Sequence, residues 1–252
     1  REEGGTPSIV ESIRAGLVFK IQQQVGTEKI EALEQGFIER AIERLSKLEN
    51  FEILGSKDAK RLSILSFNIR HKDSVLHYGF VVALLNDLFG IQARGGCSCA
   101  GPYGHELLDL SPTKSSAIEG QLHNGYMVLR PGWTRLNFNY FIDEATFEYI
   151  LAALTMIAEQ GGRLLASYQF NQKLGTWEYA SDFEPATLSL DDLLQCNETN
   201  AFEAPQVEHE QMLEQYLVQA EYILSSAQED TKAEPLKLSC DAEKLRWFAV
   251  AE

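Results

Sequence analysis

The residues best placed to do chemistry are in one nonapeptide, Arg94-Gly95-Gly96-Cys97-Ser98-Cys99-Ala100-Gly101-Pro102. Three glycines and a proline give a tightly turned or mobile loop with little side-chain bulk, and it carries two of the four cysteines. A thiolate on such a loop can reach a ligand and withdraw. Arg94, five positions before Cys99, would favour the charged form of a thiol it faces. The competing reading is that both cysteines pack beneath the loop, since free Cys is among the most buried residue types. Composition leaves the two readings level. Cys-x-Cys without a second pair at ligand spacing is half a zinc site, and Cys196 and Cys240 have no neighbouring His or Cys, so no metal is assigned. A redox or metal module would need Cys97 and Cys99 to face a common ligand with Cys196 or Cys240.

The elements that must position this loop follow from periodicity. Ile9, Ile13, Leu17 and Ile21 recur at helical spacing over 8–24, with Pro7 in a first turn and Gly26 ending the run. A second helix begins near Thr27, whose hydroxyl is placed to cap it, and carries Ile30, Leu33, Phe37, Ile38, Ala41, Ile42 and Leu45 on one stripe. Residues 62–69 alternate as a strand. Ser74 opens a helix through Phe89, closed by Gly90, and Ile91 to Arg94 is a short strand entering the cysteine loop. After a stretch with little pattern, Trp133 to Tyr140 alternates again, and Asp143 begins a helix to Gln160 stopped by Gly161-Gly162. Residues 168–171 and 176–179 flank a hairpin turn, and 207–227 repeat as a further helix. The expected fold class is α+β, a mainly antiparallel sheet of about three strands packed with helices, followed by an acidic helical extension.

Composition limits the partners. Of 252 residues 44% are hydrophobic, enough for a sizeable core, while 37 Asp and Glu against 22 Lys and Arg leave a net charge of -15. That balance argues against gripping a phosphate backbone or an anionic lipid surface, so neither nucleic acid nor membrane is an expected partner. No run approaches the roughly 20 apolar residues of a membrane helix. The charge is concentrated late: residues 181–252 hold sixteen Asp or Glu and four Lys or Arg. The plain reading of that tail is a solvated covering helix with flexible flanks. Reduced thiols in a cytoplasm suit the cysteine usage.

Arg94-x-Gly96-x-x-Cys99-Ala100-x-Pro102 resembles the cysteine loop of class V aminotransferase-like PLP enzymes, in the branch of cysteine desulfurases and selenocysteine lyases. Glu3-x-Gly5-Thr6-Pro7 is similar to the Gly-Thr-Pro loop that precedes the helix linking the large and small domains of that family. Trp133-Thr134-Arg135-Leu136 is similar to its strand bearing the arginine that clamps a substrate α-carboxylate. The three matches fall in the family's order across residues 1 to about 160.

The resemblance implies the C-terminal part of a fold-type I PLP enzyme. Residues 1–50 would be linker helices from the large domain, 51–162 the small α+β domain, and 163–252 an acidic extension with a hairpin and long helix. Gly5 and Thr6 would contact the phosphate of pyridoxal 5'-phosphate in the opposite subunit of a homodimer. Arg135 would hold the amino-acid substrate's carboxylate through a bidentate fork, with Arg94 assisting or tuning the loop. Cys99 would be the catalytic nucleophile, taking sulfur or selenium from cysteine or selenocysteine and leaving alanine, before passing it to a sulfur acceptor protein. A class V aminotransferase without persulfide chemistry, or a non-catalytic scaffold of the same fold, are the alternatives. In the family the Schiff-base lysine precedes the Gly-Thr-Pro loop, so the chain alone is expected to be a C-terminal portion and inert. His71-Lys72 comes after that loop and reads as a solvated turn. Cys97 has no counterpart in the pattern, and thirty residues, 103–132, intervene where the family has a short connection. His105 could serve as an acid-base group but reads as an ordinary loop histidine. His123 reads as turn chemistry, His77 as a surface or capping residue, and Trp133 as core.

Overall fold

The computed structural model describes residues 4–97, 101–180, 209–227 and 236–251. Strands β1 (Phe51–Ile53), β2 (Ile64–His71), β3 (Ser74–Val75), β4 (Arg94–Gly96) and β5 (Trp133–Asn137) form an antiparallel sheet in the order β1-β2-β5-β4, with β3 folded back on the end of β2. Period-two alternation makes the sheet one-sided: Leu65, Phe67 and Ile69 of β2 are buried, whereas Ser66 and Asn68 are half-buried and Arg70 is exposed. The expected sheet of about three strands thus has five, because β1 and β3 are too short for their alternation to be read.

The helices are α1 (Ile9–Val25), α2 (Thr27–Leu45), α3 (Tyr78–Phe89), α4 (Gly101–Leu107), α5 (Pro112–His123), α6 (Glu144–Gln160), α7 (His209–Ser226) and α8 (Cys240–Glu243). Phe80, Val81, Leu84 and Leu85 of α3 share one core cluster with Phe147, Leu151 and Leu154 of α6 and with the buried residues of β2. α6 starts as its sequence dictates: the Asp143 carboxylate accepts the Thr146 backbone N–H at 2.8 Å. Asp143→Ala is expected to cost about 1 kcal/mol, measured as a shift in denaturant midpoint at unchanged m-value.

Several boundaries differ from the sequence reading for local reasons. Ser74-Val75 pairs with β2, so α3 begins later, at Tyr78, with His77 as its cap. Gly26, at φ 88°, occupies the N-cap of α2 without a side-chain hydrogen bond, and Thr27 lies inside the helix instead of capping it. The 103–132 stretch is largely helical. In α5, Pro112 takes the first turn and Ser111 Oγ accepts the Lys114 N–H at 3.2 Å, but Ile118 is its one buried residue, so there is no stripe to read. The stripe on α1 is real yet uncovered: none of its residues is buried, and Phe19 is 70% exposed.

A hairpin of β6 (Tyr168–Asn171) and β7 (Thr176–Tyr179), together with α7 and the 236–251 segment, joins the main core through Trp177, Leu224 and Phe248. The junction is His77. Its Nδ1 accepts from the Gly79 N–H at 3.0 Å and from Trp177 Nε1–H at 3.0 Å, so Nε2 carries the proton and donates to the Val128 carbonyl at 3.1 Å. Trp247 stacks on the ring at 5.3 Å, Phe248 meets it edge-on, and Phe248 forms a parallel bridge with Val75.

Candidate active site

The cysteine loop leaves the sheet from β4, whose pairing with β5 sets the site. Arg94 is the register partner of Arg135, and Gly96 that of Trp133; on the far side of β5, Ser66 is the partner of Arg135. Directly opposed residues in an antiparallel pair share a face, with Cβ atoms about 5 Å apart. The two arginines therefore stand side by side on the face opposite the α3–α6 layer, where Thr134 and Leu136 point. Arg94 is exposed and Arg135 half-buried, and neither has a carboxylate partner among the described residues. Two like charges in this relation repel unless an anion joins them. Trp133, on the same face, is 3% exposed, and its Nε1–H has no hydrogen-bond acceptor among the described residues.

The strand that feeds the loop is wedged in place by missing side chains. A Cβ added at Gly95 would lie 2.6 Å from Cδ2 of Tyr78, and one at Gly132 would lie 2.6 Å from the Gly96 backbone and 2.8 Å from Cε1 of Tyr78. Gly96 itself has φ 121°, a conformation that side chains disfavour. Burial, opposed by Arg130 and helped a little by Cys97, pushes the Tyr78 phenol up to about 12, so its proton is held at neutral pH.

Of the residues singled out in the sequence, Arg94 and Arg135 are brought together. Cys99 lies outside the described residues. Cys97, at the end of β4, is exposed. Gly5 and Thr6 are exposed ahead of α1, with open space about Gly5. His71 ends β2, paired with Ser74, and Lys72-Asp73 forms the β2–β3 turn, with Lys72 at φ 52°; five residues along β2 separate His71 from the Ser66 row, about 17 Å of strand. His105 is on α4 rather than in a loop, its Nε2 3.1 Å from Ser115 Oγ. His123 ends α5 with Nδ1 2.9 Å from the Glu119 carbonyl. Among the described residues no group of three or more His, Cys, Asp or Glu could hold a metal ion, and no helix is long and apolar enough to cross a membrane. Sequence reasoning missed His77 as a buried hub and Gly132 as a packing site; the orphaned Trp133 N–H had no local signal.

Residues 1–115 match the family model described as Aminotransferase class-V. That stretch takes in Arg94 but stops short of Arg135. Two similar proteins are described as cysteine desulfurases. The chain is 35% identical over 116 residues to a probable cysteine desulfurase of Halalkalibacterium halodurans, covering 46% of this chain and 27% of that protein. Against the cysteine desulfurase of Haloferax volcanii the identity is 30% over 114 residues, 45% of this chain and 26% of that protein. The chain thus spans about a quarter of the length of the curated relatives it matches. An apo cysteine desulfurase from Thermococcus onnurineus NA1 superposes with a TM-score of 0.48 at 24% identity, over 62% of this chain and 33% of that one.

Proposed function

We propose that this chain supplies the substrate-anchoring wall and the sulfur-accepting loop of a PLP-dependent cysteine desulfurase acting on cysteine or selenocysteine. The observation that carries this reading is the cross-strand pairing of Arg94 with Arg135 on the sheet face opposite the α3–α6 layer. Two guanidinium groups without a carboxylate beside them suit one bound α-carboxylate, and Arg135 offers it a planar two-point grip. Holding that group fixes the amino acid's Cα, while Cys99, two residues past the exposed Cys97, would attack the substrate's sulfur.

Pyridoxal 5'-phosphate, when bound, supplies the electron sink that loosens the bonds at the substrate's Cα. The exposed Gly5-Thr6 turn, free of steric obstruction, fits a phosphate reached in trans across a homodimer. The uncovered apolar side of α1, with Ile9, Ile13 and Leu17 exposed, is a seat for the remaining body of the enzyme.

The test is made on the protein loaded with pyridoxal phosphate. Arg135→Lys, and more weakly Arg94→Lys, should raise KM for L-cysteine about tenfold, the loss of roughly one charge-assisted hydrogen bond. Cys99→Ser should stop sulfide release. Transamination of the amino acid that persists unaltered in Cys99→Ser, with no sulfur released by the parent, would show a class V aminotransferase instead.

A further inference from the structure

β4 is three residues long, lies at the edge of the sheet, and has glycine at two of its three positions. It has almost no side chains with which to hold its own place, so its register against β5 depends on what stands behind it. That wall is the Tyr78 ring, which a Cβ at either Gly95 or Gly132 would strike, and the chain from Leu129 to Gly132, whose last residue lies against the Gly96 backbone. Both are held by Trp247. Its indole stacks on Tyr78 with ring centroids 6.1 Å apart and an interplanar angle of 18°, and its Nε1–H donates to the Leu129 carbonyl at 3.0 Å. Trp247 is fixed in turn, since its carbonyl accepts from Ser74 Oγ–H at 3.1 Å and the Ala249 N–H donates to the Val75 carbonyl at 2.8 Å.

We propose that Trp247 is a positioning residue for the site: it braces the Tyr78 ring and the Leu129 carbonyl, and through them keeps Gly132 against Gly96 and Arg94 in register with Arg135. A close-packed interior passes a displacement from one group to the next. Without the indole, the Tyr78 ring has space to tilt into and the approach to β5 loses its tie. β4, paired along one side only and poor in contacts of its own, then shifts before any other strand. β1, at the opposite edge, anchors itself: Phe51 and Ile53 are buried, and Phe51 stacks on Phe67. The bracing stands on packing alone, and its consequence for the reaction rests on the proposed function.

The test compares Trp247→Ala and Trp247→Phe with Asp143→Ala, whose lost hydrogen bond is to Thr146 at the start of α6. The first arm needs no cofactor and follows amide hydrogen exchange in the full chain. Amides between β1 and β2 report the overall loss of stability. In Trp247→Ala those between β4 and β5 should lose about tenfold more protection than that, and in Trp247→Phe, which keeps a ring over Tyr78, about threefold more. Asp143→Ala should lower both sets alike. An even loss in Trp247→Ala would make the indole a stabilising residue only, and overturns the proposal. The second arm uses the protein loaded with pyridoxal phosphate. Trp247→Ala should raise KM for L-cysteine about tenfold with kcat changed less than about twofold, and Asp143→Ala should leave both at the parent values. A parent-like KM in Trp247→Ala overturns the role in the site. A parent that releases no sulfide overturns the proposed function, and the exchange arm then decides the bracing by itself.

Discussion

Replacement of His77 by alanine will lower the unfolding free energy by about 3–4 kcal/mol, as much as a large core truncation, although the residue is polar. The change opens a cavity among Trp177, Trp247 and Phe248 and strands three polar groups at once: the Gly79 N–H, the Trp177 Nε1–H and the Val128 carbonyl. His77→Phe keeps the volume and loses the hydrogen bonds, and should cost about 2 kcal/mol. Burial lowers the imidazole's pKa from 6.5 to about 3, against the Val128 carbonyl, which favours the charged form. The unfolded chain therefore binds a proton that the folded one refuses, and stability is complete above pH 6.5. It falls by about 1.4 kcal/mol per pH unit from 6.5 towards 3 on account of this one group. Urea titrations at pH 7, 6 and 5 on the parent and His77→Phe should give slopes against pH that differ by one proton. Coincident slopes would mean that the ring is not held neutral.

Gly132→Ala is expected to cost about 2–3 kcal/mol and to move the cysteine loop, because the added methyl meets backbone. Its neighbours would be the Gly96 main chain at 2.6 Å and the Tyr78 ring at 2.8 Å, and Tyr78 is itself pressed against Gly95. Relief requires β4 to slide away from β5, which separates Arg94 from Arg135 and alters how Cys97 is presented. The readouts are the denaturant midpoint and the alkylation rate of Cys97. Gly120→Ala is the control: it is in α5 with open space around it, and should stabilise by about 0.5–1 kcal/mol. Equal effects of the two substitutions would refute the wedge.

The parts of the fold that could be read in advance were those written in local pattern. Alternation located β2 and β5, and the Asp143 cap with the run to Gln160 located α6. The hairpin of β6 and β7 came from its turn residues. What escaped was decided at a distance. α5 buries one side chain and so has no amphipathic signature, and the end of β2 captures Ser74-Val75 by pairing across a two-residue turn. Histidine is an uncommon cap, and His77 fills that role because its ring is also needed by Trp177 and Val128, which are far along the chain. The site shows the same division. Each arginine could be named from its own motif, but that Arg94 opposes Arg135 is a matter of register between strands separated by thirty-six residues, and no window of sequence contains it.

The bridge from Val75 to Phe248, with Trp247 seated over His77, ties the β2–β3 hairpin to residues about 170 positions later in the chain. On the ribosome, β2, β3 and α3 emerge long before the segment that seals them. Their aromatic cluster stays open to solvent, and to chaperones, until residue 248 has cleared the exit tunnel. Sealing of this core is thereby deferred until about 170 further residues have been made, and a message cut short before that codon would yield a chain with its hub unsealed.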